Sequence, residues 1–180
     1  MTLEQVFYLT QSVAAVGVLA SLIFLGLQTR DSAKAVRSAT TQAVQENFST
    51  WCRSLAEHPA LLAACAKGFA SPSALSMDER LQFFVSFQSL VHSGENAFTQ
   101  WRNGHLPEGV WTAYERPMAL AMRTPGGLVF WRERRWIFSE AFQSKVDAAI
   151  TKPIEAGAKL FGVIPLTEMA ASGSAQPPGT

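Results

Sequence analysis

The hydrophobic pattern of the chain changes character at Leu27. From Val6 to Leu27 it reads VFYLTQSVAAVGVLASLIFLGL, 22 residues without a charged side chain. Wound as a helix, Val13, Val16, Leu19, Leu22, Ile23 and Leu25 point all round the axis, so the run has no polar face. Beyond it the pattern becomes one-sided. Val36, Thr40, Val44, Phe48, Trp51 and Leu55 recur at steps of three or four, and no Pro or Gly lies between Leu27 and Ala56. This predicts one long helix, apolar on every side in its first half and amphipathic in its second. Pro59 ends or kinks it.

Four or five shorter helices follow. Leu61 to Phe69 is a short piece stopped near Gly68, and SPSALS reads as a loop. Ser76-Met77-Asp78-Glu79 has capping-box spacing and opens a helix to about Arg102, with Gly104 as its stop. Phe84, Phe87, Val91, Phe98 and Trp101 form its stripe. Gly94 inside it is a weak point of about 1 kcal/mol against Ala. Pro107 suits the first turn of a helix carrying Val110, Trp111, Tyr114, Met118 and Ala121, with Pro117 a kink. Thr124 caps a helix with Leu128, Trp131, Arg135 and Phe138 on one side. Ser139 caps a last one, EAFQSKVDAAI. Leu160 to Leu166 is apolar but broken by Gly162 and Pro165, and no alternating strand pattern of useful length occurs. The expected fold is all-α: an N-terminal transmembrane helix (1–28) continuing into a small cytoplasmic helical bundle (29–152), then an irregular or disordered tail (153–180).

The transmembrane expectation rests on length and solvent. At about 1.5 Å per residue the uncharged run measures roughly 33 Å, against about 30 Å of bilayer hydrocarbon. A cleaved signal peptide would need a basic start and a shorter apolar core; the chain opens Met-Thr-Leu-Glu. A fully buried core helix is the other reading. All 15 Lys and Arg lie after the run, which by the positive-inside rule places the N-terminus outside and the bundle in the cytoplasm of a bacterial inner membrane. Arg30, Lys34 and Arg37 then fall where anionic headgroups can meet them. Gly17-x-x-x-Ser21 has the spacing that lets membrane helices approach, and suggests a protein partner or homo-oligomer.

Composition narrows the function. Apolar types make 48% of the 180 residues and charged types 16%, which excludes a disordered chain. A net charge of +1 gives no reason to expect nucleic acid. Cys52 and Cys65 make no disulfide framework and sit in packing-like surroundings.

Three segments carry a resemblance. LIFLGLQTRDSAKAVRSAT at 22–40, ENAFTQWRNG at 95–104 and TPGGLVFWRERRWIFSEAFQSKVD at 124–147, in that order, resemble a group of uncharacterised bacterial proteins with one N-terminal membrane helix followed by a helical domain. Asp31-Ser32-Ala33 departs from the group, where a more Asn- and Thr-rich stretch is expected. The resemblance implies the architecture and no activity.

Chemistry is sparse. His58, His92 and His105 are the only histidines. His92-x-x-Glu95 occurs once, the reverse of a di-iron Glu-x-x-His motif. No G-x-S-x-G elbow exists. Gly126-Gly127 opens a helix but lacks the Lys-Ser/Thr pair of a phosphate loop. Trp131 to Trp136 is basic and aromatic, yet on a helix it forms no single platform. Neither a catalytic nor a cofactor-binding nor a metal-ligating set emerges, and no cofactor is expected. Glu95 lies beside the apolar face of its helix, where a carboxylate needs a partner. Arg135 faces inward on its own helix, so a Glu95–Arg135 or Glu95–Arg134 ion pair is expected to join the two. The expected function is a non-enzymatic interaction, scaffold or accessory role. The alternative is a membrane-tethered enzyme or small-ligand sensor, with a pocket between aromatic-rich helices and Glu95 as its polar feature.

Overall fold

The computed structural model describes residues 3–152 and the pairs 159–160 and 164–165; the side chains of residues 5, 6, 9, 10, 12–15, 159, 164 and 165 lie outside the described set. The described residues form helices α1 (Leu3–Glu57), α2 (Pro59–Ala70), α3 (Met77–Arg102), α4 (Glu108–Met122), α5 (Pro125–Arg134) and α6 (Glu140–Ile150), with 3-10 turns at Pro72–Ala74 and Arg135–Ile137. The fold is all-helical apart from a two-residue antiparallel ladder, β1 (Lys159–Leu160) with β2 (Ile164–Pro165). The chain divides into two compact units, Met1–Ala39 and Thr40–Thr180, so α1 runs through both.

In the first unit α1 leaves its apolar side chains uncovered. Val16, Val18, Leu19, Leu22, Ile23, Phe24, Leu25 and Leu27 are 55–66% exposed. Two hydroxyls bond back into their own helix: Ser21 donates to the Gly17 carbonyl at 2.9 Å and Thr29 to the Leu25 carbonyl at 2.8 Å. Among the described residues, no helix is long and apolar enough to cross a membrane. The Val6–Leu27 run falls partly on side chains outside the described set.

In the second unit aromatic side chains fill the core. Phe69 of α2 stands edge-on to Phe83 and Phe87 of α3 at 5.1 and 5.0 Å, and Phe130 of α5 meets Phe87 at 4.8 Å. A second group joins Phe98, Trp111, Trp131, Phe138 and Phe142. Such pairs add about 0.5–1.5 kcal/mol each beyond the area they bury. The expected stripe of α3 is borne out and widened, with Phe83, Leu90, Gly94 and Ala97 also buried. Gly68 does not stop a helix. It lies inside α2, where an added Cβ would sit 2.5 Å from Phe83 Cγ, and its carbonyl lies where a Cβ on Gly126 would go. Two glycines thus let α2 and α5 touch backbone to backbone. Gly94 has a packing reason too: a Cβ there would overlap the Met118 sulfur.

The helix boundaries follow local chemistry. The Ser76–Glu79 capping box forms in both directions, and Lys67 and the Ser76 amide both bond Glu79, which holds its carboxyl below the usual range. Gly104, at φ +73°, takes the left-handed conformation that ends α3. Thr124 accepts from the Gly127 amide. Pro107 stands one residue earlier than expected, at the N-cap of α4. Two expectations are corrected. The α5 helix tightens into a 3-10 turn after Arg134; of the expected stripe Trp131 and Phe138 are buried, while Leu128 is 44% exposed and Arg135 is exposed. Leu160, expected in an irregular tail, is fully buried in the core; the rest of 153–180, apart from the ladder, lies outside the described residues.

Candidate functional site

The inward carboxylate has a different partner from the one expected. Glu95 Oε1 accepts from the Ser139 backbone N–H at 2.7 Å, and its Oε2 lies 3.7 Å from His92 Nδ1. Glu95 therefore caps α6 from another helix, while the Ser139 side chain makes no capping bond. A carboxylate at a helix N-terminus meets free amides and the positive end of the dipole. Neither Arg134 nor Arg135 pairs with it. Arg135, redirected by the 3-10 turn, donates to Asp147 Oδ2 at 2.6 Å, and Trp131 Nε1 donates to Asp147 Oδ1 at 2.7 Å. Arg134 lies over Phe84 and reaches Gln88. Glu95 thus joins α3 to α6 through a backbone amide, where an ion pair to the arginines of α5 was expected. Glu95 is consequently committed to structure.

Other singled-out residues are equally ordinary. Among the described residues no group of His, Cys, Asp and Glu can hold a metal ion. His58 bonds the Ser54 carbonyl and His105 the Gln100 amide oxygen. Cys65 is buried and Cys52 exposed. Burial pushes both thiols up, partly opposed at Cys65 by a bond to Ser86, so neither is an activated thiolate. Gly126 and Gly127 are occupied by backbone packing. Arg30, Lys34 and Arg37 are exposed, with Lys34 3.6 Å from Asp31. A Cβ on Gly17 would meet nothing within 4 Å.

What the sequence did not single out is the seat of the second half of α1. Val44 and Trp51 are buried, and Phe48 and Leu55 pack against the core. Trp51 Nε1 donates to the Ser86 carbonyl and hydroxyl at 3.0 Å each. Phe48 stacks on Trp51 at 6.3 Å and stands edge-on to Tyr114 at 5.7 Å. A cleft opens on either side of this seam. Toward α3, a cleft of about 490 Å³ is lined by neutral polar groups including Asn47, Thr50, Gln82 and Ser89. Toward α4, a cleft of about 560 Å³ is walled by Val44, Phe48, Val110, Ala113, Tyr114 and Pro117, with Gln45, Ser49 and Gly109 completing it. Neither is lined by a charged side chain. Burial raises the Tyr114 phenol far above its usual value, and its hydroxyl donates to the Leu90 carbonyl at 3.3 Å. In the sequence the second cleft is marked only by Pro117, which lacks an amide hydrogen, and Gly109, which lacks a side chain.

No protein family, curated protein or solved structure matches the chain.

Proposed function

We propose that the chain is a single-pass protein of the bacterial inner membrane that works by association, as a non-enzymatic scaffold or accessory subunit of a membrane complex. The N-terminus lies outside and the helical bundle in the cytoplasm. One observation carries the proposal: the uncharged 22-residue run, whose described apolar side chains from Val16 to Leu27 stay exposed on every side. A helix apolar all round needs an apolar surrounding. The back-bonded hydroxyls of Ser21 and Thr29 ask nothing of water. Arg30, Lys34 and Arg37 follow directly, at headgroup level. Gly17 and Ser21 would give a second helix close access. The proposal includes membership of the bacterial group that the three segments resemble.

Alkaline carbonate extraction of native membranes, followed by mild-detergent purification, tests this reading. The expected result is a chain that stays with the membrane pellet and then elutes with a stoichiometric second protein or a second copy. Recovery in the carbonate supernatant would overturn the anchor. A lone monomer after detergent extraction would overturn association.

A second reading, a membrane-tethered small-ligand sensor, is favoured by the apolar cleft between α1 and α4. Its polar feature is not Glu95, which α6 occupies.

A further inference from the structure

Pro117 lies inside α4 and has no N–H. The carbonyl of residue 113, four positions back, therefore has no donor in its own helical ladder. Ala113 and Pro117 both line the cleft of about 560 Å³ beside α1, so the freed acceptor lies on the face of α4 that borders it. The rest of the wall is apolar and aromatic apart from the neutral side chains of Gln45 and Ser49, with the edge-on rings of Phe48 and Tyr114 at one side. The volume is in the range of about 300–1,000 Å³ that small ligands fill. The lining holds no charge, so a charged ligand would lose its hydration unpaired. Gly109, in the first turn of α4, borders the same cleft, and a Cβ there would meet nothing within 4 Å.

We infer that the α1/α4 cleft binds a flat, uncharged molecule of one or two rings bearing an N–H or O–H donor, which the Ala113 carbonyl accepts. The inference deepens the sensor reading and does not depend on the anchor. Because the walls come from both helices, the occupant also fastens residues 44–49 of α1 to α4.

The test is calorimetric titration of the full chain in lipid nanodiscs, empty nanodiscs subtracted, with indole and with indene, a near-isostere lacking the N–H. Both are expected to bind. Gly109→Leu, which fills open space without touching the fold, abolishes binding of both. Pro117→Ala restores the amide that takes the Ala113 carbonyl, so it shifts the ratio of the two Kd values against indole by about three- to tenfold, the worth of one hydrogen bond. Far-ultraviolet circular dichroism confirms that both variants fold. Binding unaffected by Gly109→Leu would place the ligand elsewhere and overturn the site. A ratio unchanged by Pro117→Ala would overturn the role of the carbonyl, and no saturation by either ligand would overturn the whole inference. A failed anchor shows separately, as chain in the carbonate supernatant, and the same titrations then run without nanodiscs.

Discussion

The two halves of α1 share a helical backbone and differ in what their side chains meet. From Val16 to Leu27 the apolar residues are exposed all round, and none is buried. From Thr40 to Glu57, Val44 and Trp51 are buried, Thr40, Thr41, Phe48, Ser54 and Leu55 half-buried, and the other residues exposed. Helical periodicity is the same in both. The difference lies in distribution: a stripe is matched by a partner within the chain, and a full coat is not. Apolar content alone therefore says little about what a helix packs against. The angular spread of that content says much more.

The largest expected effect falls on the docked half. Trp51→Ala removes a buried indole and its two bonds to Ser86. It should destabilise the bundle by about 3–5 kcal/mol, read as a shift in the urea midpoint. A change below about 1 kcal/mol would mean that this half of α1 is not part of the folded core.

A smaller effect comes from pH. Tyr114 keeps its proton in the fold because burial disfavours the phenolate. The unfolded chain releases it near pH 10. The neutral ring's contribution is thus complete below about pH 10 and is lost as pH climbs toward the higher folded value. Tyr114→Phe should flatten the alkaline limb of the stability curve, measured by urea titration from pH 8 to 11. An unchanged slope would show that the Phe48–Tyr114 contact is looser than described.

The smallest effect belongs to the uncovered half. Leu22→Ser should leave bundle stability within about 0.5 kcal/mol of the parent chain, since Leu22 is 59% exposed. A larger loss would mean that the coat of the first half supports the bundle after all.

Much of the architecture was legible because it depends on neighbours in sequence. The Ser76 capping box, the Thr124 cap and the Gly104 stop are local hydrogen-bonding and φ requirements, and each stands where its spacing put it. Most of the departures are contacts between distant residues. Gly68 and Gly126 are 58 positions apart, and nothing near either announces that their backbones meet. A lone carboxylate suggests a cation as its partner; the actual partner of Glu95, a backbone amide, is present at every position but proline and leaves no mark. The 3-10 turn at Arg135–Ile137 broke a stripe that assumed 3.6 residues per turn. The α4 cleft was visible only as a missing amide and a missing side chain, absences that pattern reading weighs lightly.

The capping of α6 by Glu95 has a consequence for how the molecule is made. The cap comes from a residue 44 positions upstream, so during synthesis it leaves the ribosome well before the helix it serves. When Ser139 and the helix behind it emerge, the carboxylate that accepts the Ser139 amide has already been made. The start of the last helix is thus marked by a residue made before it, and its cap needs no side chain of its own.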